Sequence, residues 1–337
     1  MTVATPTTVI GGVNVIDAEL AESLQQSLAD VERRFAEELG DRDERVVAAT
    51  TYLAKAGGKR FRPLFALLAA QFGPRPQDES VLLAATMIEL AHLATLYHDD
   101  VMDEATARRG SAAANMVWGN KIAILAGDYL IGHALRIAAT LGSRAMHVIA
   151  TTFAELVTGQ MQETLGTDDP AGVEAHYLRT IECKTGSLIA ASGHLGAQLA
   201  GAQEVHVDRI ESFGMRLGTM FQIVDDIIDV SSAFEHSGKT PGADLREGVI
   251  TLPILYATYD EGPAGRRLRE LLTGPIRDER LMEEALFLIH DAHGVELARQ
   301  KLAGLACLAQ ADLSSLPSVP ARAAFANLID HTVTRAA

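Results

Sequence analysis

The chain has 337 residues, 48% of them hydrophobic and 22% charged, enough to bury a large core and too apolar for disorder over most of its length. Its 44 acidic against 29 basic residues leave a net charge of -15, which argues against nucleic acid or an anionic membrane as partner. Any anionic substrate must therefore meet a local basic patch or a metal.

Residues 1–15 hold Thr, Pro and Gly with no basic segment ahead of an apolar block, so they read as a flexible tail and not as a signal peptide. Beyond them, apolar residues recur at helical intervals, Ala and Leu dominate, and period-two runs of β-branched residues are absent. The expected class is all-α. Helices are expected over about 17–39, 43–56, 61–72, 80–103, 118–141, 143–166, 171–201 and 205–232, with shorter ones to the C-terminus. The breaks at Gly57-Gly58, Gly73-Pro74, Asp168-Asp169-Pro170 and Gly238 to Gly242 are too short to be interdomain linkers, so 16–337 reads as one helical domain. The least charged stretch, Ser187 to Gln203, is rich in Gly and Ala and interrupted by Ser192, His194 and Gln198, which suits an internal helix. No membrane-spanning segment is expected. Cys183 and Cys307 lie far apart without metal-ligand spacing, which fits a cytoplasmic protein free of disulfides and zinc.

Chemistry concentrates in six places. Gly57-Gly58-Lys59-Arg60-Phe61-Arg62-Pro63 joins a glycine turn to three cations, of which Lys59 and Arg62 can point together at a phosphate; solvated charges after a helix break would look the same. Asp99-Asp100-Val101-Met102-Asp103 closes an apolar helix, with Asp99 and Asp103 on one face. Asp225-Asp226-Ile227-Ile228-Asp229 repeats that spacing. Two carboxylates roughly 4 Å apart repel by about 4 kcal/mol at an effective dielectric of 20, a cost that a cation removes. Hard oxygen ligands favour Mg²⁺, which typically takes one or two carboxylates plus substrate phosphates, so two such pairs suggest ions bridging a diphosphate between facing helices. Either cluster alone could be a solvated acidic helix end. Arg108-Arg109 follows the first cluster, Lys184-Thr185-Gly186 interrupts an apolar helix, and Gly238-Lys239-Thr240-Pro241-Gly242 follows the second cluster; none has the spacing of a Walker loop.

In this order the segments GGKRFRP, HLATLYHDDVMDEATARRG, KTG, FQIVDDIID and GKTPGADLREGVITLP resemble the trans-polyprenyl diphosphate synthase family from about Lys55 to Ala257. The resemblance implies an all-α fold with helices around a deep cavity, usually as a homodimer, and an Mg²⁺-dependent condensation of isopentenyl diphosphate with an allylic diphosphate. It implies Asp99, Asp103 and Asp225 as ligands of three Mg²⁺ ions, with Asp100, Asp226 and Asp229 as second choices. Arg108, Lys184 and Lys239 would surround the allylic diphosphate, with Thr185 and Gln222 beside them and Lys184 also serving catalysis. Lys59, Arg62, His92 and Arg109 would bind the isopentenyl diphosphate. Without the resemblance, His92 and Gln222 would pass for hydrogen-bonded polar groups of a helical core. No general base stands out, and in this family the released diphosphate is thought to take the proton.

A product tunnel running down from Asp99 would pass Thr95, Ala91 and Ile88 at about 6, 12 and 16 Å. Small residues at Ala94 and Thr95, where shorter-chain relatives place bulky aromatics, imply a long product of about eight or nine isoprene units for a quinone side chain. A farnesyl or geranylgeranyl diphosphate synthase and a non-catalytic subunit of a heteromeric synthase remain as alternatives. A terpene cyclase would not need GGKRFRP, and a histidine-aspartate phosphohydrolase would leave the second cluster unexplained.

Overall fold

The computed structural model describes residues 8–40, 43–167, 169, 172–231 and 241–336. It begins with strands β1 (Thr8–Ile10) and β2 (Val13–Val15), followed by α1 (Ala18–Glu38), α2 (Glu44–Thr50), α3 (Tyr52–Lys55), α4 (Phe61–Ala70) and α5 (Glu79–Met102). A second small hairpin, β3 (Ala107–Arg108) with β4 (Ser111–Ala112), leads to α6 (Ala114–Trp118), α7 (Asn120–Leu141), α8 (Ser143–Leu165) and α9 (Val173–Ile181). A π-helical turn at Glu182–Gly186 joins α9 to α10 (Ser187–Leu199), and the long α11 (Glu204–Ser231) follows. The chain ends in α12 (Ala243–Glu247), α13 (Leu252–Thr258), α14 (Pro263–Leu271), α15 (Glu279–Asp291), α16 (Gly294–Ser314) and α17 (Pro320–Arg335). The class is all-α, as the apolar periodicity led one to expect.

Two compact units emerge, each assembled from separate stretches of chain. The first comprises Met1–Ala154, Leu188–Gly214 and Leu313–Asn327. Its centre is α5, which packs on α1, α4 and α7 and buries residues all around its circumference. Asp17 caps α1 by accepting the Leu20 N–H at 2.8 Å, and α1 presents Leu20, Leu24, Val31 and Phe35 to the core. In α4 every residue from Pro63 to Ala70 is buried, and an added Cβ on Gly196 would sit 2.1 Å from the Ala66 carbonyl oxygen, so only glycine lets α10 approach that closely. Phe65, Phe213 and Phe325 form one aromatic cluster with ring centroids 4.9–5.8 Å apart. The buried Tyr97 hydroxyl donates to the Ala49 carbonyl at 2.5 Å and accepts the Leu53 N–H at 3.2 Å, which pins α2 and α3 to α5; burial lifts its pKa to about 12.

The second unit comprises Glu155–Ser187, Met215–Asp312 and Leu328–Ala337. Here Gly159 of α8 lies against the π-helical turn, where an added Cβ would stand 2.8 Å from both Cys183 Cβ and Lys184 N. Gly186 and Gly218 approach so closely that a Cβ on Gly218 would reach Gly186 Cα at 2.6 Å. Glu174 ties the unit together by accepting from Lys301 at 2.9 Å and from Tyr256 at 3.0 Å.

Several expectations change. The N-terminal tail is structured from Thr8 onward as a hairpin with Val13 and Val15 fully buried. The helix expected over 43–56 is divided at Thr51, and Gly119 separates Trp118 from the helix that begins at Asn120. The stretch 171–201 runs through the π-helical turn at Glu182–Gly186. Both α5 and α7 are long and apolar enough to cross a membrane by length and composition, where none was expected. In α5 that apolar character serves the core: 67% of its apolar window is buried, and its buried Glu89 and Asp100 pair with arginines of the same unit.

Candidate active site

The glycine turn before α4 uses backbone conformations open to few residues, with φ of 108° at Gly57 and 134° at Gly58 and a left-handed Arg60 at 50°. That turn sends Arg60 and Arg62 inward and leaves Lys59 exposed. Arg60 donates to the carbonyls of Gly57 and Ala54, pairs with Glu32, and lies 3.3 Å from Glu89. Arg62 points Nη1 at His92 Nε2 across 3.0 Å, and Arg109 donates to the carbonyls of Leu53 and Gly57. Three guanidinium groups thus share one buried carboxylate, Glu89, with His92 among them.

The electrostatics follow from that imbalance. Burial raises the pKa of Glu89, while Arg60, Arg62 and Arg109 pull it back. Desolvation lowers Arg62 to about 10 despite the nearby Glu89, and Arg109 is lowered for the same reason. Burial also works against the Arg60 charge, but Glu32 and Glu89 outweigh it and raise its pKa. Desolvation, then the surrounding arginines, hold His92 well below the usual imidazole range, so it is neutral near pH 7. Because arginine only donates, Nε2 of that neutral ring accepts and Nδ1 carries the proton. The cluster is short of negative charge. Arg62 Nε is itself buried without a partner.

At the C-terminus of α5, Asp99 and Asp103 stand on one side while Asp100 turns into the protein. The Asp100 side chain is fully buried, accepting from Arg108 Nε at 2.7 Å and from the Ala114 backbone N–H at 2.8 Å. It thereby anchors the β3–β4 hairpin, whose turn is made by Arg109 and Gly110 at φ 54° and 76°. Asp103 is exposed at the helix cap. His98 packs where a Cβ on Gly127 would lie 2.3 Å from its Nε2, and that nitrogen is 3.2 Å from the Ile124 carbonyl and 3.3 Å from Asp128. Small residues on α7 therefore set how closely the end of α5 is held.

The second cluster divides the same way. Asp225 is exposed and pairs with Arg335 in the last turn of α17 at 3.0 Å, whereas Asp226 is buried. Tyr177 donates to one Asp226 oxygen and Gln222 Nε2 to the other at 3.0 Å, and Thr185 joins Gln222 at 3.3 Å. Burial pushes Asp226 up to about 7 against those hydrogen bonds, with help from Asp225 and Asp229. Asp229 accepts the N–H groups of Ala243 and Asp244, both at 3.1 Å, and so starts α12. Lys184, aimed by the π-helical turn, pairs with Glu163 at 2.5 Å. Lys239 lies outside the described residues.

Asp100, Asp226 and Asp229 are thus engaged in holding structure. Among the described residues no three His, Cys, Asp or Glu side chains converge as a protein-only cage. Mg²⁺ keeps water and phosphate ligands and needs only one or two carboxylates from the protein, so the half-buried Asp99 and the exposed Asp103 and Asp225 are donors of the right kind. Of the expected tunnel residues, Ala91 and Ala94 have no accessible surface and pack within the core, while Thr95 is half-buried with its hydroxyl on the His92 carbonyl at 2.8 Å. Glu89 went unnoticed in the sequence, where its one signal is a lone acid inside an apolar run.

The chain is similar to known proteins over nearly its whole length. The model of the family described as polyprenyl synthetase matches residues 43–289. A nonaprenyl diphosphate synthase of Mycobacterium tuberculosis is 50% identical over 331 residues, spanning 98% of this chain and 99% of its own. A geranylgeranyl pyrophosphate synthase from Corynebacterium glutamicum, solved with calcium and isoprenyl diphosphate, superposes with a TM-score of 0.88 at 45% identity over 96% of this chain and 99% of that one. A decaprenyl diphosphate synthase from Rhodobacter capsulatus gives 0.87 at 32% identity over 95% and 99%.

Proposed function

The chain belongs to the polyprenyl synthetase family, and from that premise we propose that it condenses isopentenyl diphosphate with an allylic prenyl diphosphate into a longer all-trans polyprenyl diphosphate. The observation that carries this reading is the cluster of Arg60, Arg62 and Arg109 around the single buried Glu89. Two of those guanidinium groups are held below their usual basicity, so a diphosphate arriving there relieves desolvation and mutual repulsion together. Lys59, Arg62, Arg109 and His92 bind the isopentenyl diphosphate, His92 adding a hydrogen-bonding group without adding charge.

Asp99, Asp103 and Asp225 would hold up to three Mg²⁺ ions with the allylic diphosphate, and Arg108, Lys184 and Lys239 would add positive charge around it. When bound, Mg²⁺ supplies Lewis-acid stabilisation of the charge that develops on the departing diphosphate. Asp100 keeps Arg108 oriented while Asp99 and Asp103 remain directed outward. Thr185 and Gln222 link the π-helical turn to Asp226, which fixes the α11 segment that carries Asp225. The chain from Thr8 onward acts as one polyprenyl synthase domain in the cytoplasm. Two copies pair through the exposed apolar side chains Met116, Val117, Ile122 and Leu125 of α6 and α7.

The product reaches about eight or nine isoprene units, a reading supported by analogy with the nonaprenyl relative and by the small residue at Thr95. A shorter, geranylgeranyl-length product is the second reading, favoured by the closed packing of Ala91 and Ala94. Incubating the purified chain with labelled isopentenyl diphosphate, Mg²⁺ and allylic primers, then separating the products, tests both. A ladder ending at the long product supports the first reading, and a pure twenty-carbon product replaces it with the second. No elongation by the chain alone would point to a subunit that needs a catalytic partner.

A further inference from the structure

The N-terminal hairpin ends beside the basic motif. Its register pairs Ile10 with Val13, which leaves Gly11 and Gly12 as a two-residue turn with φ of +57° and +89°. Ile10, Val13 and Val15 are buried, and Asn327 Nδ2 donates to the Asn14 carbonyl at 3.0 Å, so the hairpin is fixed to the first unit. The turn rests on Lys59. A Cβ added to Gly11 would lie 2.7 Å from the Lys59 carbonyl oxygen and 2.9 Å from Leu64 Cδ2. One added to Gly12 would lie 3.5 Å from Lys59 Cδ and 3.8 Å from its Nζ.

Lys59 needs outside support. It sits between Gly58 and Arg60, both at positive φ, in a stretch with no regular hydrogen-bond ladder of its own. A Cβ added to Gly58 would lie 2.8 Å from Arg109 Nη1 and 2.9 Å from Arg60 Nη1, so the arginines pack against one side of this turn while the hairpin lies against Lys59. Among the described residues the Lys59 ammonium forms no ion pair, which leaves an exposed cation in the same turn as the buried arginine cluster. Restricting that side chain beforehand lowers the entropy lost when it engages an anion.

We propose that the N-terminal hairpin is a positioning element of the isopentenyl diphosphate subsite, its Gly11-Gly12 turn bracing the backbone and stem of Lys59 without touching substrate. This rests on the assignment of Lys59 to that subsite. It predicts that the hairpin governs affinity for isopentenyl diphosphate and leaves the allylic primer alone.

The test measures binding of isopentenyl diphosphate alone by calorimetry, and KM for each substrate, in Gly11→Ala, Gly12→Ala, Lys59→Ala and the Gly11→Ala/Lys59→Ala double variant. Gly11→Ala should weaken isopentenyl diphosphate binding about tenfold and raise its KM in step, with kcat and the primer KM within about twofold of the parent. In the Lys59→Ala background the same change should have no further effect. Val9→Thr, on the exposed side of the hairpin, should change nothing. Should Gly11→Ala fail to fold, Gly12→Ala carries the test: its φ of +89° strains the turn itself, but its Cβ meets only Lys59, at Cδ and Nζ, so a several-fold weakening confined to isopentenyl diphosphate is then expected. If Lys59→Ala itself leaves that binding unchanged, the Lys59 assignment fails. If Lys59→Ala weakens binding but the glycine variants do not, or if they weaken both substrates equally or add fully to Lys59→Ala, the bracing role is overturned.

Discussion

The doublets Asp99-Asp100 and Asp225-Asp226 are spelled alike, and each leaves its first aspartate at least partly accessible and buries the next, yet the buried members keep different company. Asp100 faces the guanidinium of Arg108 and a backbone N–H, whereas Asp226 faces the neutral donors Tyr177 and Gln222. A charged partner stabilises a buried carboxylate far more than neutral ones do; at Asp226 burial, only partly offset by its two neutral donors, lifts the pKa to about 7. The pattern DD therefore encodes two jobs, an outward ligand and an inward anchor. The chemistry of the anchor comes from residues distant in sequence.

The largest expected break concerns the outward members. Asp99→Ala should cut turnover about a hundredfold or more while the helical circular dichroism is unchanged, since the metal-assisted step loses a donor but the core does not. Next comes the contrast between anchors. Asp100→Asn should cost about 3 kcal/mol in urea unfolding, because it leaves Arg108 without its buried counter-charge. Asp226→Asn should cost under about 1 kcal/mol, since the amide can still meet a tyrosine hydroxyl and a glutamine. Equal losses would remove the distinction drawn here.

A smaller effect tests the reliance of the first unit on charged partners. His92 has a folded pKa well below its unfolded value near 6.5, so the unfolded chain binds that proton more readily and stability falls as pH drops through and below about 6.5. His92→Gln should flatten that acid-side loss, read as a smaller shift in thermal midpoint between pH 7 and pH 5 than the parent shows. The smallest effect belongs to Arg335→Ala. Its pair with Asp225 is half-exposed on both sides, so unfolding stability should change by under about 0.5 kcal/mol.

Much of this architecture was legible beforehand. The period of apolar residues gave the helices, and the five motifs gave the residues to look for, because each combines a charge pattern with an apolar background. Four features were missed. The π-helical turn depends on the close approaches at Gly159 and Gly218, which are tertiary facts with no local signature. Glu89 is one acid in an apolar helix, and its importance appears only when Arg60, Arg62 and Arg109 arrive from elsewhere in the chain. The hairpin at Thr8 to Val15 did carry a signal, a Gly-Gly pair flanked by Val9, Ile10, Val13 and Val15, but reading the segment for composition concealed it. The small residues before Asp99 were correctly seen as small, yet their packing at Ala91 and Ala94 could not be read from size alone.

The most direct test compares two neighbours. Turnover with isopentenyl diphosphate, an allylic primer and Mg²⁺ should fall about a hundredfold or more in Asp225→Ala and stay within about tenfold of the parent in Asp226→Asn. Equal impairment of the two, or near-normal turnover in Asp225→Ala, would contradict the division between ligand and anchor.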